Sequence, residues 1–270
     1  IQVTGSHNPK DYNGFKIVLN QNSFFGDDIQ KLGHLASKGY SKTYNGFSKP
    51  VEINSKYIDE ITRPLKNNDR ELHKKTIVWD CGNGASGPLV EMLITKIPGK
   101  HVVLYSKVDG NFPNHHPDPT DENTLKILVK KIKEVDAELG IAFDGDGDRI
   151  GVVDKKGMPI PGDLLTAFLA NSITTNDKEN QTIILDIKSS HIAYENIISL
   201  GFKAEIGKTG HSNIKKRLKE IKSPLAGEMS GHIFFGDTYF GYDDALYAAI
   251  RLLALTANNI EIDKFISTCL

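Results

Sequence analysis

The chain has 270 residues, of which 39% are hydrophobic and 25% are charged, and its formal net charge at pH 7 is −1. This length allows about two or three domains, and the apolar content supports a sizeable core. The near-zero charge argues against a nucleic-acid or membrane-surface partner. No apolar run reaches the roughly 18 residues of a membrane-spanning helix, and there is no signal-peptide pattern. The cysteines are few and follow no metal-binding or redox spacing, so we expect a cytoplasmic protein.

The first motif follows a strand-like stretch at the start of the chain. Residues 4–9 read Thr-Gly-Ser-His-Asn-Pro, in which Gly5 permits a tight bend and the Asn-Pro pair favours a turn. We therefore expect Ser6 at a loop apex beside His7, with Lys16 able to return toward it. For a single Ser-His pair, a plain polar turn is the simpler interpretation.

Strand and helix patterns then alternate, which predicts α/β layers. Strands are predicted at residues 76–80, 101–105, 139–143, 150–153 and 182–186. Helices are predicted from 88 to about 96, over 125–135, from 190 to 200, and from 244 to about 257 with Asp243 or Asp244 as the cap. The stretch 39–50 is predicted to be a loop or linker, and the basic cluster Lys215 to Arg217 a solvated helix face. Strands 76–80 and 182–186 have similar sequences, which suggests a duplicated domain.

The most informative motif is Phe-Asp-Gly-Asp-Gly-Asp-Arg-Ile at residues 143–150. Apolar runs on both sides predict that a strand delivers Asp144, Asp146 and Asp148 to a glycine-bent loop. Anionic oxygens this close repel one another unless a cation lies among them, and hard oxygen ligands suit Mg²⁺. Arg149 adds a fixed positive charge. An EF-hand is excluded because its Gly and Glu positions hold Arg and Lys, whereas a structural acidic turn remains an alternative.

The third motif is Gly-Glu-Met-Ser-Gly-His at residues 227–232. It places the carboxylate of Glu228, the hydroxyl of Ser230 and the imidazole of His232 in one glycine-flanked turn. Such a set can form hydrogen bonds to vicinal sugar hydroxyls. A polar loop in which His232 is merely structural is equally consistent with the sequence.

Together the three loops resemble those of the α-D-phosphohexomutase superfamily, and most closely the bacterial phosphomannomutase/phosphoglucomutase group. They occur in the family's order, and residues 112–119 also resemble a family segment. The resemblance implies an α/β fold of tandem domains, each a mixed sheet layered with helices. It implies the C-terminal part of domain I at 1–50, domain II at 51–157 and domain III at 158–270. We expect a piece of a longer protein, without the family's N-terminal basic motif and without the fourth domain, which binds the non-reacting phosphate.

The resemblance also implies roles for individual residues, with Ser6 as the phosphorylated residue. The implied metal ligands for Mg²⁺ are Ser6, Asp144, Asp146 and Asp148. The implied catalytic residues are Ser6, His7, Lys16, Arg149 and His232, of which Lys16 and His232 are the candidates for general acid or base. The implied substrate-binding residues are Lys188, His211, Glu228, Met229, Ser230, Gly231 and His232.

The activity implied is that of an intramolecular phosphotransferase that interconverts hexose 1-phosphate and hexose 6-phosphate. It would proceed through a phosphoserine enzyme, with glucose or mannose 1,6-bisphosphate as intermediate and activator. Met229 stands where the related phosphoglucosamine mutases usually have Gln, which favours glucose and mannose phosphates. The alternatives are a phosphoglucosamine mutase, and a fragment that binds Mg²⁺ and sugar phosphate without turnover. A haloacid-dehalogenase-like phosphatase with Asp144 as nucleophile is disfavoured, because Asp148 stands where that family has Thr or Val.

Overall fold

The computed structural model describes residues 1–39, 45–65 and 71–269. The predicted loop at 39–50 therefore lies partly outside the described residues, and its described part contains no helix or strand. Within the described ranges the strands form three sheets, each with its own helices. No helix in these ranges is both long and apolar enough to cross a membrane.

The first sheet is an antiparallel hairpin extended by one strand, in the order β1-β2-β3. Its strands are β1 (Gln2–Thr4), β2 (Gly14–Leu19) and β3 (Asn22–Phe24), and the helix α1 (Asp27–Ser37) follows. The turn between β1 and β2 carries the predicted serine loop, so the hairpin fixes the position of Ser6 relative to Lys16 on β2.

The second sheet has the order β5-β4-β6-β7-β8. Its strands are β4 (Thr76–Asp80), β5 (Lys100–Leu104), β6 (Leu139–Phe143), β7 (Ile150–Asp154) and β8 (Pro159–Ile160). Its helices are α2 (Asn54–Ile61), α3 (Gly87–Ile94) and α4 (Glu122–Val135). β4 lies parallel between β5 and β6, whereas β7 and β8 are antiparallel to their neighbours. The sheet extends past the boundary predicted at residue 157, because β8 pairs with β7.

The third sheet has the order β10-β9-β11-β12. Its strands are β9 (Thr182–Asp186), β10 (Lys203–Gly207), β11 (Leu225–Gly227) and β12 (Ile233–Phe235). Its helices are α5 (Gly162–Leu169), α6 (His191–Ser199), α7 (His211–Ile221), α8 (Ala245–Ala257) and α9 (Ile262–Cys269). β9 lies between two parallel neighbours, as β4 does in the second sheet, which agrees with the suggested duplication.

One hydrophobic core joins the second and third sheets through α5 and α8. Every residue of α5 is buried, as is nearly all of α8. Helices that are apolar on all sides belong in an interior, and α8 contacts both β7 and β12. The loop after β6 and the loop after β11 are therefore held side by side. Short turns of 3₁₀ helix occur at Arg63–Leu65, Leu72–Lys74, Ala170–Ser172 and Lys178–Asn180, and the first three each contribute one buried residue to this core.

Candidate active site

The aspartate loop, residues 144–149, joins the antiparallel strands β6 and β7. Asp144 is fully buried at its start. Its Oδ1 accepts hydrogen bonds from the backbone N–H groups of Gly147, Asp148 and Arg149, at 3.0, 3.0 and 3.1 Å. Gly147 has a φ of 75°, which glycine adopts without strain. One carboxylate oxygen therefore shapes the whole loop, as the glycine spacing predicts.

The serine loop turns sharply between β1 and β2. A Cβ on Gly5 would lie 2.7 Å from the carbonyl oxygen of Tyr12, so the turn requires glycine there. Ser6 has a φ of 50°, in the left-handed region that non-glycine residues rarely adopt. Its N–H donates to Thr4 Oγ1 at 2.8 Å, which supports this backbone conformation. A strained residue presented at a loop apex is characteristic of functional sites.

The Ser6 hydroxyl lies directly against the aspartate loop. Ser6 Oγ is 3.1 Å from Asp144 Oδ2 and 2.9 Å from Asp146 Oδ1. His7 Nδ1 is 3.2 Å from the same hydroxyl. A Cβ on Gly145 would lie 2.2 Å from the Ser6 carbonyl oxygen, so only glycine lets the two loops approach this closely.

Lys16 supplies positive charge on the other side of the aspartates. Its Nζ donates to Asp146 Oδ2 at 3.0 Å and also contacts Asp148 Oδ2. Burial alone would lower the pKa of Lys16. The negative charges of Asp148 and Asp146 raise it by more than burial lowers it, so the net shift is upward. The ammonium is thereby stabilised in the charged form.

The aspartate oxygens fit a divalent cation. One oxygen from each of Asp144, Asp146 and Asp148 lies within 4.8 Å of the others. Burial raises the pKa of Asp144 well above its usual range, and repulsion from Asp148 and Asp146 adds to the shift. Asp148 Oδ1 is buried without a hydrogen-bond partner among the described residues. Clustered, hard and mutually repelling oxygens are the donor set that Mg²⁺ prefers, and Ser6 Oγ lies beside two of them.

The loop at residues 228–232, called here the sugar-recognition loop after the role predicted for it, joins β11 to β12 and packs on the start of β7, next to the aspartate loop. A Cβ on Gly231 would lie 2.4 Å from the Ile150 carbonyl oxygen, and the Ile150 N–H donates to the Gly231 carbonyl at 3.0 Å. Glu228 is buried and its Oε1 accepts the Gly210 N–H at 2.5 Å, while burial raises the pKa of its carboxyl. The loop is therefore fixed before any ligand binds.

His232 joins the sugar-recognition loop to the aspartate loop through a side-chain contact. Arg149 Nε donates to His232 Nε2 at 3.1 Å. His232 is 7% exposed, and its ring stacks on that of His211 at a centroid distance of 5.6 Å. Burial opposes the protonated form, yet Asp243 and Asp148 raise the pKa of His232 overall.

The structure brings together most of the residues predicted from the sequence. The predicted residues that cluster at the aspartate loop or on the adjoining sugar-recognition loop are Ser6, His7, Lys16, Asp144, Asp146, Asp148, Arg149, His211, Glu228, Met229, Ser230, Gly231 and His232. No contact within the described residues links Lys188 to this cluster. Lys188 is exposed just after β9 and makes no hydrogen bond or ion pair with the described residues.

Sequence reasoning missed several residues that build the site. Thr4 Oγ1 donates to Asp146 Oδ2 at 2.8 Å, which links the serine loop to the aspartate loop. Lys215 is wrongly predicted as part of a solvated face, because its side chain is 20% exposed and pairs with Asp243 at 2.8 Å. The sequence offers Asp243 or Asp244 as the cap of α8, and Asp244 takes this position by accepting the Tyr247 N–H at 3.0 Å. Two adjacent aspartates before α8 were the available indication that one of them has another role, since the helix needs only one cap.

Comparison with known proteins defines the class. The phosphoglucomutase/phosphomannomutase α/β/α domain models match the chain in order, domain I at residues 1–41, domain II at 55–157 and domain III at 161–268. The chain belongs to this family, within the phosphohexomutase superfamily, and its fold is the tandem α/β/α arrangement that the sequence predicts.

Three bacterial relatives illustrate the similarity. The chain is 40% identical over 265 residues to the phosphomannomutase/phosphoglucomutase of Pseudomonas aeruginosa, covering 96% of this chain and 55% of the relative. It is 40% identical over 257 residues to a phosphoglucomutase of Neisseria gonorrhoeae, covering 94% and 55%. A crystal structure of a family protein from Burkholderia thailandensis matches 99% of this chain and 57% of that one, at a TM-score of 0.90 and 39% identity. The chain thus spans little more than half the length of these relatives.

Proposed function

We propose that the chain carries the phosphoryl-transfer centre of a hexose-phosphate mutase, with Ser6 as the residue that is phosphorylated. The observation that carries this proposal is the position of Ser6 Oγ, 3.1 Å from Asp144 Oδ2 and 2.9 Å from Asp146 Oδ1. A serine hydroxyl held among carboxylates that fit Mg²⁺ suits phosphoryl transfer, in which catalysis is mainly positioning and charge stabilisation. The names of the relatives support the same reaction class.

The charges around Ser6 support a phosphorylated state. Mg²⁺ held by Ser6, Asp144, Asp146 and Asp148 would neutralise part of the phosphate charge when bound. A phosphoserine carries about −1.5 to −2 charges at neutral pH, so further cations are needed beside the aspartates. Lys16 and Arg149 provide them, because Lys16 contacts Asp146 and Asp148, and Arg149 lies at the end of the aspartate loop.

The reaction would run in two half-reactions. In the first, the free hydroxyl of a hexose monophosphate forms a bond to the phosphorus on Ser6 while the bond between phosphorus and Ser6 Oγ breaks. This yields a hexose 1,6-bisphosphate and unmodified Ser6. In the second, Ser6 Oγ takes the other phosphoryl group from the bisphosphate, which leaves the isomeric monophosphate. The phosphoserine and the 1,6-bisphosphate are both parts of this proposal.

Each half-reaction needs a group that takes and returns a proton, and the geometry favours His232 over Lys16. The Lys16 ammonium is held by two carboxylates that raise its pKa, so it is a poor proton acceptor. His232 Nε2 accepts a hydrogen bond from Arg149 at the rim of the aspartate loop, so this nitrogen is unprotonated in the neutral ring and would take a proton once Arg149 turns to the phosphate. His7, at 3.2 Å from Ser6 Oγ, would orient the serine and its phosphate.

The substrate proposed is a glucose or mannose phosphate. Glu228 and Ser230 would bind sugar hydroxyls, and Lys188 and His211 would contact the substrate. Met229 follows Glu228 on the loop, and its N–H donates to the buried Asp186 Oδ1 at 3.2 Å, which fixes the backbone there. An apolar side chain at 229 favours these sugars over a glucosamine phosphate. The free, buried cysteines suit the reducing cytoplasm in which we place the enzyme.

The test is turnover of the 1-phosphates of glucose, mannose and glucosamine, each with Mg²⁺ and glucose 1,6-bisphosphate. We expect 6-phosphate from glucose and mannose, lost in Ser6→Ala and retained in Lys216→Met, an exposed lysine on α7 that serves as control. Turnover that survives Ser6→Ala would contradict the proposal. Binding of Mg²⁺ and sugar phosphate without turnover in any variant would instead support the binding-only alternative.

A further inference from the structure

Asp243 is a buried carboxylate to which no sequence motif assigns a role in the site. It lies between β12 and α8, and its side chain is 6% exposed. Three cationic or polar groups surround it, namely Lys215 Nζ at 2.8 Å from Oδ1, and His232 Nδ1 and His211 Nδ1 at 3.0 and 3.3 Å from Oδ2. Burial would raise the pKa of Asp243, but these three partners hold it well below its usual range. The carboxylate is therefore charged in the fold.

The contacts of His232 determine which of its ring nitrogens carries the proton in the neutral form. A guanidinium has only donors, and Arg149 Nε lies 3.1 Å from His232 Nε2, so Nε2 must be an acceptor. The proton of the neutral ring is then on Nδ1, which faces Asp243 Oδ2 at 3.0 Å. His232 Nδ1 and Asp243 Oδ2 are both buried, and neither has a well-aligned hydrogen bond to any described residue. A small rotation of the His232 ring would align a hydrogen bond between these two atoms.

The contacts of His211 give the opposite result. An ammonium has only donors, and Lys215 Nζ forms a hydrogen bond of 3.2 Å to His211 Nδ1, whereas Asp243 Oδ2, at 3.3 Å, is not aligned for a hydrogen bond with it, so Nδ1 is the acceptor there. The proton of neutral His211 is then on Nε2. Lys215 is held in this position by Asp243 Oδ1 at 2.8 Å. Asp243 thus faces Nδ1 of both rings, whereas Lys215 donates to Nδ1 of His211 alone, and the two rings stack at 5.6 Å.

We propose that Asp243 and Lys215 are positioning residues that give the two stacked histidines opposite tautomers. His232 is held with an acceptor at Nε2, and His211 with a donor at Nε2. The catalytic use of these two tautomers rests on the proposed function. A transfer between a hydroxyl and a phosphate needs one neutral group that accepts a proton and another that donates a hydrogen bond to phosphate oxygen. Two histidines without fixed partners would interconvert between tautomers and fill each role only part of the time.

Two other interpretations of Asp243 fit the contacts less well. A helix cap is unnecessary, because Asp244 already caps α8. A second metal site could use Asp148, His211 and Asp243, whose ligand atoms lie within 4.8 Å of one another. The Lys215 ammonium, however, forms hydrogen bonds to both Asp243 Oδ1 and His211 Nδ1. A metal ion bound by these atoms would be repelled by the ammonium.

The test is the ¹⁵N spectrum of the histidine rings, recorded at pH about 9, where imidazole is neutral. His232→Gln and His211→Gln assign the signals. In the unsubstituted chain we expect His232 protonated at Nδ1 and His211 at Nε2. In Asp243→Asn the Nδ1-protonated share of His232 should fall, because the amide can donate as well as accept. In Lys215→Met only His211 should change, and Lys216→Met, next to it but exposed, should change neither ring.

Activity provides the second readout. Asp243→Asn should lower kcat by about 100-fold or more, the contribution typical of a positioned acid or base, with KM changed far less. Lys215→Met remains a test if Asp243→Asn fails to fold. His232 protonated at Nε2 in the unsubstituted chain, or unchanged in Asp243→Asn, would overturn the inference. Tautomers as expected in a chain without mutase turnover would refute the proposed function and leave the positioning of the rings intact.

Discussion

Ser6 and Asp146 are 140 positions apart in the chain, yet Ser6 Oγ lies 2.9 Å from Asp146 Oδ1. This contact joins the first sheet to the aspartate loop of the second. Thr4 and Lys16, on either side of Ser6, bond to the same aspartate at 2.8 and 3.0 Å. These contacts hold the β1–β2 hairpin against the aspartate loop, and they place the Ser6 hydroxyl among the aspartate carboxylates.

The close approach of the two loops depends on Gly145. In Gly145→Ala the new Cβ would meet the Ser6 carbonyl oxygen at 2.2 Å, so the serine loop must move away. We expect the fold to persist and phosphorylation of Ser6 to fall by about 100-fold, because a displacement near 1 Å has this order of effect on a positioned reaction. Gly110→Ala is the control, since its Cβ would meet nothing closer than 3.6 Å. Equal phosphorylation in the two variants would show that the approach is unimportant.

Lys16 and Mg²⁺ would compete for the same oxygens. Lys16 Nζ bonds to Asp146 Oδ2 and contacts Asp148 Oδ2, two of the proposed metal ligands. In Lys16→Met we expect Mg²⁺, measured by titration calorimetry without substrate, to bind about 3- to 10-fold more tightly, as removal of an ion pair worth about 1 kcal/mol implies. Phosphoryl transfer should nevertheless fall, because the cation beside the phosphate is lost. Weaker Mg²⁺ binding in the variant would mean that Lys16 helps to assemble the metal site.

Met229 is predicted to influence the choice of sugar. Met229→Gln replaces an apolar side chain with an amide that can bond to an amino or hydroxyl group at the sugar. We expect the ratio of kcat/KM for glucosamine phosphate to that for glucose phosphate to rise by about 10-fold, the effect of one hydrogen bond of about 1.4 kcal/mol. The backbone should be unaffected, because the Met229 N–H bonds to Asp186 through the main chain. An unchanged ratio would place sugar discrimination elsewhere.

A histidine–aspartate pair in the second sheet makes stability depend on pH. His115 Nε2 lies 3.0 Å from the buried Asp80 Oδ2, and this hydrogen bond raises the pKa of His115 although burial opposes it. A group with a raised pKa in the fold stabilises it fully below the unfolded value of about 6.5. That contribution is lost as pH rises through the folded value.

Urea unfolding of the chain at pH about 5.5 and about 8.5 measures this effect. In His115→Gln the free energy of unfolding should fall by about 1–3 kcal/mol at the lower pH, the contribution of a hydrogen bond to a charged group, and by less at the higher pH. His73→Gln, an exposed histidine, is the control and should follow the unsubstituted chain. Equal losses at both pH values would show that the pair does not titrate in this range.

The sequence predicts the strands and site loops well, because each depends on local signals. The strand Thr76–Asp80, the strand Leu139–Phe143 and the strand Thr182–Asp186 have the predicted bounds, since each is an apolar run ended by Asp or Gly-rich turns. The strand predicted at 101–105 lies one residue earlier, a shift that edge positions commonly show. The alternating glycines predict the aspartate loop for the same local reason.

The arrangement around Asp243 could not be predicted from the sequence. Its partners Lys215, His211 and His232 come from α7 and from the sugar-recognition loop, and only packing brings them within 2.8 to 3.3 Å. Lys215 stands in a basic cluster, where a solvated side chain is the usual outcome. The burial that turns it inward depends on the loop before α8, which no local pattern specifies.

Phosphopeptide mapping of the chain after incubation with Mg²⁺ and glucose 1,6-bisphosphate would show directly whether Ser6 is the residue that is phosphorylated. We expect one phosphate on Ser6, absent in Ser6→Ala and removed when hexose monophosphate is added, with hexose bisphosphate appearing in equal amount. Phosphate that remains on Ser6 in the presence of hexose monophosphate, or phosphate found on an aspartate instead, would contradict the phosphoserine mechanism.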